Sequence, residues 1–411
     1  MKTIKSYMCI TFIARQMFRV KRLFWFFIAM AVRAVTKVNG RMVFCWSFDA
    51  TKYACNPRAI TEYILDTAPD DYEIYWGFNK DVDISALDTR IHVVRRYGMA
   101  YLRALYTSRF IIYNMRNAPL SSMFIKKRGQ KYIMTWHGNS VMKHVEKDAA
   151  ACLSKRHIWF AKRDIWFSKC DSAMCDLMLS NSRWFTSLIR TSFWYGGEIL
   201  EGCCPRNDIF YDERKRERAY RTVRQSLGFD PDIKIVLYAP TFRDNSLDLK
   251  YYRIDWDALL PLFEEKLGGK VEVLVRLHPN MANAVDVRSL VDMPYLHDVS
   301  REHDATECYF AADALVTDYS STIFDFALLR RPCFIYATDR HEYERERGLY
   351  WKLEQLPFPL AENIEDFRHN IGNFDKVEYV KKLDMFFSDV LGLEEYGRGS
   401  ERVLKWMDAN R

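Results

Sequence analysis

The 411-residue sequence contains no pair of cysteines separated by two residues and no Cys and His spacing typical of a zinc site. It also has no internal repeat, no low-complexity tract and no linker rich in Pro, Ser or Gly. Its ten cysteines are scattered apart from the adjacent pair Cys203 and Cys204, which is typical of reduced, cytosolic thiols that mostly fill a core. These absences argue against a disulfide scaffold, a zinc protein and a repeat protein.

Acidic residues are absent from residues 1–41, although the whole chain has 54 of them. The same segment carries nine Lys and Arg residues, so the formal charge of +7 belongs to this arm and the remaining body is near neutral. A nucleic-acid-binding body would spread basic charge over a groove. We therefore expect no nucleic-acid partner.

The chain has no apolar run of the roughly 20 residues that a membrane-spanning helix needs, because the longest near the N-terminus covers only residues 23–32. On a helical wheel a basic stripe lies beside a bulky apolar face, which predicts a basic amphipathic helix over residues 1–40 at an anionic membrane surface. The stripe consists of Arg15, Arg19, Arg22, Arg33 and Lys37. Two alternatives are a helix packed on the protein's own body and a signal anchor, although no small-residue cleavage site follows.

The body alternates short apolar runs with helical stretches, and this pattern predicts an α/β fold. Continuous apolar strands of the kind buried on both faces of a parallel sheet occur in two series, which predict two doubly wound domains facing a cleft. We expect an N-terminal α/β domain over 41–208, a second over 209–375 and C-terminal helices over 376–411. The predicted strands are 41–46, 72–78, 90–94, 110–114 and 131–136, then 233–240, 270–279, 314–318 and 333–337. Asn56 is predicted to be the N-cap of a helix over 56–65.

Polar residues end several of these strands, and in an open parallel sheet ligands bind beyond the carboxyl ends. Imidazoles, Arg donors and hydroxyls at such positions suit an anionic phosphate. The residues that follow the strands are Trp136, His137 and Gly138; Thr241 and Arg243; Arg276 and His278; and Ser320 and Ser321.

Several candidate site residues also have a structural interpretation. Ser320 or Ser321 can be a simple helix cap, and Asp325 either accepts polyol hydroxyls or is a solvated helix residue. His137 is either a general base on a sharp Gly138 turn or a core histidine bonded to a carbonyl, and His278 has the same alternative.

Six segments in this order resemble the CDP-glycerol glycerophosphotransferases of teichoic acid priming and polymerisation. The resemblance covers roughly residues 40–390 and implies a GT-B-like fold, a peripheral enzyme on the cytoplasmic face of the membrane, and synthesis of teichoic acid or a capsule-type polymer. The segments are TWHGNSVMK (135–143), 179–208, LYAPTFRDN (237–245), VLVRLHP (273–279), 314–336 and DRHEYERERGLYW (339–351).

Carried over by position, the resemblance implies that His137 is the base that deprotonates an acceptor hydroxyl, while CMP leaves CDP-glycerol or another CDP-polyol. It also implies a lipid-linked or polysaccharide acceptor. The residues themselves form no metal-binding cluster in the sequence, so we expect no metal and no cofactor. His278, Arg276, Ser320 and Ser321 would hold the pyrophosphate, and Asp325, Thr241, Arg243 and Arg206 would help bind the donor.

Trp136, Gly138, Asn139 and Ser140 would line the substrate site beside His137. Many family members have Thr-Pro where this chain has Asn139-Ser140, so the acceptor side may be specific to this chain. The chain length favours a primase-like or capsule-type transferase. Two other functions stay open from the sequence: a GT-B glycosyltransferase that uses a nucleotide sugar, and an inactive membrane-bound scaffold.

Overall fold

The computed structural model describes residues 20–138, 140–152, 158–243, 249–277, 292–301, 304–394 and 396–411. These residues form two parallel β-sheets with helices packed around each, so the predicted α/β class with two doubly wound sheets is confirmed.

The first domain is built on a seven-stranded parallel sheet with the order β3-β2-β1-β4-β5-β6-β7. Its strand order reverses between β1 and β4, and this topological switch point is where open α/β sheets bind ligands. The strands are β1 (Asn39–Trp46), β2 (Glu73–Phe78), β3 (His92–Arg95), β4 (Ser108–Tyr113), β5 (Lys131–Met134), β6 (Leu177–Leu179) and β7 (Glu198–Leu200). The helices are Cys55–Thr67, Met99–Thr107, Pro119–Ser122, Glu146–Cys152, Ile158–Met174 and Arg183–Ser192.

The second domain repeats this topology in a six-stranded sheet with the order β10-β9-β8-β11-β12-β13. Its switch point therefore lies between β8 and β11. The strands are β8 (Lys234–Tyr238), β9 (Val271–Val275), β10 (Leu296–Asp298), β11 (Ala314–Thr317), β12 (Cys333–Tyr336) and β13 (Leu360–Ala361). The helices are Glu213–Ser226, Leu260–Leu267, Ala305–Ala311, Thr322–Ala327, Arg340–Arg347, Ile364–Gly372 and Lys376–Met385.

Each sheet is buried on both faces, as the continuous apolar runs predicted. Along β1, Phe44 and Trp46 pack into one core cluster, while Val43 and Cys45 pack into the cluster on the opposite face. Successive side chains of a strand point to opposite faces, so both layers of helices are held by the same strand. The two layers of helices hold the sheet rigidly. They therefore fix the positions of the strand termini and of the loops that follow them.

The end of the chain returns to the first domain. After the π-helix Phe386–Leu391, the helix Gly399–Ala409 packs against the first sheet through Val403, Trp406 and Met407. Tyr72 Oη donates to Asp408 Oδ1 at 2.6 Å, and Arg109 Nε donates to the Asn410 carbonyl at 3.0 Å. The first domain is thus built from both ends of the chain.

The helix over residues 20–35 packs on the first domain, which was one of the three alternatives for the N-terminal arm. Ala29 and Val32 are buried in its core, and Arg33 donates to the carbonyls of Ile125 and Lys126 at 3.0 and 3.1 Å. Arg33 therefore faces the protein, which corrects its predicted place in a lipid-facing basic stripe. Arg15 and Arg19 lie outside the described residues. Over the ranges that the structure describes, no helix is long and apolar enough to cross a membrane.

Candidate active site

The turn after β5 places His137 at the carboxyl edge of the first sheet. Trp136 adopts a left-handed backbone conformation (φ 52°), which turns the chain sharply as the strand ends. The half-buried His137 ring lies 4.6 Å from the Trp136 ring centroid and 5.9 Å from that of Phe48. Two aromatic side chains thus hold the imidazole in place beside the cleft.

A hydrogen bond to Asn114 fixes the tautomer of His137. Nδ1 of His137 lies 2.8 Å from the backbone carbonyl oxygen of Asn114, which follows β4. A carbonyl oxygen can only accept, so Nδ1 carries the proton in the neutral ring and Nε2 is the basic nitrogen. The arrangement suits a general base.

The same asparagine supports a strained turn at the switch point of the first sheet. Its side-chain oxygen accepts the backbone N–H of Phe48 at 2.9 Å. Phe48, Asp49 and Ala50 all have positive φ angles (45°, 55° and 65°), a conformation that costs free energy in residues other than glycine. Strain of this kind clusters at functional sites, and here it lies between β1 and β4, where the topology predicts a ligand.

Gly138 brings this edge against the second domain. A Cβ atom built at Gly138 would lie 3.4 Å from Ser321 Oγ and 3.6 Å from Val141 Cγ1. Glycine therefore allows the His137 turn to approach the loop after β11. Ser140 is buried two residues later, while Asn139 lies outside the described residues.

Arg206 links the two domains at this point. Its guanidinium donates through Nη2 to Asp325 Oδ2 at 2.6 Å and through Nη1 to the backbone carbonyl of His137. The Arg206 and Asp325 side chains are only 14% and 16% exposed, so solvent screens the pair weakly. A residue of the first domain thus holds both the His137 turn and a helix of the second domain.

The loops after β8 and β11 share a buried ionic network. Arg243 donates to Asp318 Oδ2 at 2.8 Å and to both carboxylate oxygens of Asp339 at 2.7 and 3.0 Å. The backbone N–H of Thr241 donates to Asp318 Oδ1 at 2.8 Å, and Tyr319 Oη donates to Asp339 Oδ1 at 2.8 Å. Arg243 therefore braces the loops that carry Thr241 and the Ser320 segment, and its predicted contact with a donor stays a prediction.

Ser320 and Ser321 precede the helix Thr322–Ala327. Ser320 Oγ accepts the backbone N–H of Thr322 at 3.3 Å and donates to its hydroxyl at 2.9 Å. Ser321 occupies the N-cap position, but its side chain makes no capping hydrogen bond. The Ser321 hydroxyl is thus the one that lies against Gly138.

Cations approach the cleft from both domains near β1 and β9. Arg276 follows β9 and donates to the Val299 carbonyl at 2.9 Å. Burial lowers the pKa of Lys52, in the loop after β1, and nearby Arg276 lowers it further, while Asp304 opposes the change. Lys52 and Arg276 therefore repel each other, and the carboxylate of Asp304 offsets this repulsion at Lys52.

A second contact between the domains lies along the loop that follows Gly138. The backbone N–H of Tyr350 donates to the Met142 carbonyl at 2.9 Å, and that of His144 donates to the Gly348 carbonyl at 3.1 Å. Trp351 Nε1 donates to the Val141 carbonyl at 3.2 Å. The end of the segment 339–351 thus holds the loop that follows Gly138.

Three residues near the site were not predicted to belong to it: Lys52, Asn56 and Asn114. Asn56 was assigned as a helix N-cap, and this was wrong, because the helix begins at Cys55 with Ala54 in the cap position. The signal that could have identified them is their position after β1 and β4. The prediction from strand ends used only the residues that end β5, β8, β9 and β11. His278 lies outside the described residues. Among the residues that are described, no three His, Cys, Asp or Glu side chains form a group arranged to hold a metal ion.

Two doubly wound parallel sheets whose strand-end loops meet, with His137 on one side and Arg and Ser side chains on the other, are consistent with a GT-B-like fold. The chain belongs to the family described as CDP-Glycerol:Poly(glycerophosphate) glycerophosphotransferase, whose sequence profile matches residues 27–407. The predicted family is thereby confirmed.

The similar proteins act in teichoic acid synthesis. The chain is 30% identical over 375 residues to the teichoic acid poly(glycerol phosphate) polymerase of Bacillus subtilis, covering 89% of this chain and 48% of that protein. It is 28% identical over 373 residues to the polymerase of the same name from Bacillus spizizenii, covering 89% of this chain and 92% of that protein. The chain thus spans about half of one of these relatives and nearly all of the other.

Solved structures of the wall teichoic acid polymerase TagF have the same fold. One variant aligns with a TM-score of 0.77 at 28% identity, covering 91% of this chain and 89% of that chain. Another, soaked with CDPG, aligns with a TM-score of 0.76 at 26% identity, covering 91% and 90%.

Proposed function

We propose that this chain transfers glycerol phosphate, or a related polyol phosphate, from a CDP-polyol to a hydroxyl of a lipid-linked or polysaccharide acceptor and releases CMP. The observation that carries the proposal is the approach of the His137 turn to Ser321, where a Cβ at Gly138 would be 3.4 Å from the hydroxyl oxygen. The proposed base and the proposed phosphate-binding hydroxyl would then lie close together where the two domains meet. The family and its polymerase relatives support the same reaction.

His137 acts as the general base in this proposal. Nε2 takes the proton of the acceptor hydroxyl while Nδ1 donates to the Asn114 carbonyl. The acceptor oxygen then bonds to the β-phosphorus of the donor, the bond from that phosphorus to the bridging oxygen breaks, and the electron pair leaves with CMP. Catalysis of phosphoryl transfer depends mainly on positioning and on stabilising charge.

The donor diphosphate is proposed to lie between the domains. Arg276 and Lys52 neutralise its charge from opposite sides, and the hydroxyls of Ser320 and Ser321 donate to its oxygens. His278 is a further proposed ligand of the diphosphate, because the motif that contains it resembles that of the family. Thr241, Arg243, Arg206 and Asp325 are proposed to shape the rest of the donor site, with Arg243 acting through the loops that it braces.

The acceptor is proposed to enter beside Trp136, Gly138, Asn139 and Ser140. The loop that contains them is held by Tyr350 and Trp351 of the second domain. In this proposal the acceptor site has contributions from both domains.

Membrane attachment is proposed through the exposed side of the helix over residues 20–35. That side presents an unbroken apolar stripe, although the opposite side packs on the first domain. The stripe consists of Val20 (68% exposed), Leu23 (48%), Phe24 (60%), Phe27 (64%) and Val35 (81%). Together with the basic residues that precede it in the sequence, it suits the acidic cytoplasmic face of a membrane and a peripheral protein.

A nucleotide-release assay tests the proposed reaction. Purified protein is incubated with a lipid-linked acceptor and, separately, with CDP-glycerol, CDP-ribitol and a set of UDP- and CMP-sugars, and the released nucleotide is measured. We expect acceptor-dependent CMP from a CDP-polyol. Release from a nucleotide sugar alone would establish a glycosyltransferase, and no release from any donor would leave the scaffold function.

A further inference from the structure

The side chain of Asn56 reaches from the first turn of the helix Cys55–Thr67 into the base of the active site. It is fully buried, and its Nδ2 donates to the backbone carbonyls of Thr135 and Trp136 at 3.2 and 3.1 Å. These are the two residues that lead directly into His137. The amide therefore holds the turn from which the base projects.

The other end of the same amide holds Arg206. Oδ1 of Asn56 accepts the backbone N–H of Arg206 at 3.0 Å and the thiol of Cys204 at 3.7 Å. Both donors and both acceptor positions of the carboxamide are thus used, and the two carbonyls on one side and the N–H on the other fix its orientation. No other residue type of this size offers two donors and an acceptor in that arrangement.

We propose that Asn56 is a positioning residue for the transfer reaction, which locks the His137 turn and the Arg206 segment into one rigid unit. Arg206 completes the unit by donating to the His137 carbonyl and pairing with Asp325. The helix that carries Asn56 is anchored in the core of the first sheet through Ile60 and Ile64. The position of His137 is therefore set by contacts within the folded chain, which is the preorganisation that phosphoryl transfer needs. This inference rests on the proposed function.

Two substitutions at Asn56 distinguish the contacts of its Nδ2 from those of its Oδ1. Asn56→Asp keeps an acceptor for the Arg206 N–H but presents a carboxylate oxygen to the two carbonyls, whereas Asn56→Ala removes both contacts. Thr61→Val is the matched control, because Thr61 is equally buried on the same helix and accepts from Trp76 Nε1 at 2.9 Å, away from the site. Each variant is first tested for cooperative thermal unfolding.

The steady-state parameters for CMP release then distinguish positioning from general support of the fold. We expect kcat to fall on the order of 10²-fold in both Asn56 variants, since a misplacement of about 1 Å can cost that much. The KM for the CDP-polyol should rise in Asn56→Ala, where the Arg206 segment is also released, and stay within about threefold of the parent in Asn56→Asp. Thr61→Val should keep its kcat.

Three results would overturn the positioning role: a parental kcat in both Asn56 variants, an equal loss of kcat in Thr61→Val, or the same donor KM in Asn56→Ala as in Asn56→Asp. A readout that does not need turnover separates this inference from the proposed function. Diethyl pyrocarbonate acylates accessible imidazole nitrogens, and mass spectrometry gives its rate at His137. Even if the parent releases no CMP, that rate should change in both Asn56 variants and not in Thr61→Val, and an unchanged rate in all three would contradict the positioning role.

Discussion

At His137, the hydrogen bond from Nδ1 to the Asn114 carbonyl decides which ring nitrogen can accept a proton. Replacing the imidazole by a carboxamide in His137→Asn keeps a polar side chain but removes the base. We expect kcat for CMP release to fall by about 10²–10⁴-fold, with little change in the KM for the donor. Steady-state kinetics measures this, and His92→Asn, at an exposed histidine of β3, is the control. A kcat unchanged by the substitution would exclude base catalysis by His137.

Asp171 is a buried carboxylate on the helix Ile158–Met174. It pairs with Arg116 at 3.2 Å, yet burial raises its pKa to about 6 despite the opposing effect of Arg116. The folded pKa lies above the value of about 3.9 in an unfolded chain. The stability that this group contributes is therefore present in acid and is lost as the pH rises through about 6.

The Asp171→Asn variant removes this titration. We expect its melting temperature, relative to that of the parent, to rise between about pH 4 and about pH 7, because only the parent has to ionise a buried carboxyl. Thermal unfolding at a series of pH values measures the difference. Asp164→Asn, at an exposed position of the same helix, should follow the parent throughout. A constant difference between Asp171→Asn and the parent would mean that Asp171 does not titrate in this range.

Among the structural elements, the turn after β5 and the helix Thr322–Ala327 are coupled through one ion pair between the domains. Arg206 and Asp325 are bonded at 2.6 Å and are largely shielded from solvent. In a double-mutant cycle of Arg206→Lys and Asp325→Asn, we expect a coupling of about 0.5–3 kcal/mol in kcat/KM. The same cycle on Arg221 and Glu217, an exposed pair at 2.6 Å, should show almost none. Additive losses at Arg206 and Asp325 would show that the pair does not act as a unit.

Some of the strands could be predicted from the sequence and others could not. Long apolar runs such as 41–46 and 233–240 predicted β1 and β8, because strands buried on both faces have little freedom in composition. The strands Leu177–Leu179 and Leu360–Ala361 were missed, since two or three residues carry no period.

Some residues of the candidate site could likewise be predicted from the sequence, and others could not. His137, Arg206 and Asp325 could be predicted from strand ends and family motifs, and the structure brings them into one contact group. Asn56 could not, because an Asn before a Pro near a helix start has the sequence signature of an N-cap. Its contacts with Thr135 and Arg206 span 79 and 150 residues of sequence, and only tertiary folding brings these residues together.

For the whole molecule, the apolar stripe on the helix over residues 20–35 is the surface proposed to meet the membrane. Phe24→Ser with Phe27→Ser removes two exposed rings without touching Ala29 and Val32, which face the core. We expect binding to vesicles rich in phosphatidylglycerol to weaken at least about tenfold, since each buried ring is worth about 1.5–3 kcal/mol. Co-sedimentation measures the binding.

The control for the membrane surface is Val377→Ser, which removes a side chain that is 80% exposed on the second domain. Its vesicle binding should equal that of the parent. If the double Phe variant also bound like the parent, the stripe would not be the membrane contact, and the helix would serve only to cover the first domain.

The central claim is that the cleft between the two sheets transfers a polyol phosphate from a CDP-linked donor to an acceptor hydroxyl. Mass spectrometry of a synthetic lipid-linked acceptor, incubated with CDP-glycerol and the full chain, tests it most directly. The account predicts that the acceptor gains one or more glycerol phosphate units in step with CMP release, and that His137→Asn abolishes both. An acceptor of unchanged mass, or one that gains a sugar from a nucleotide sugar instead, would contradict it.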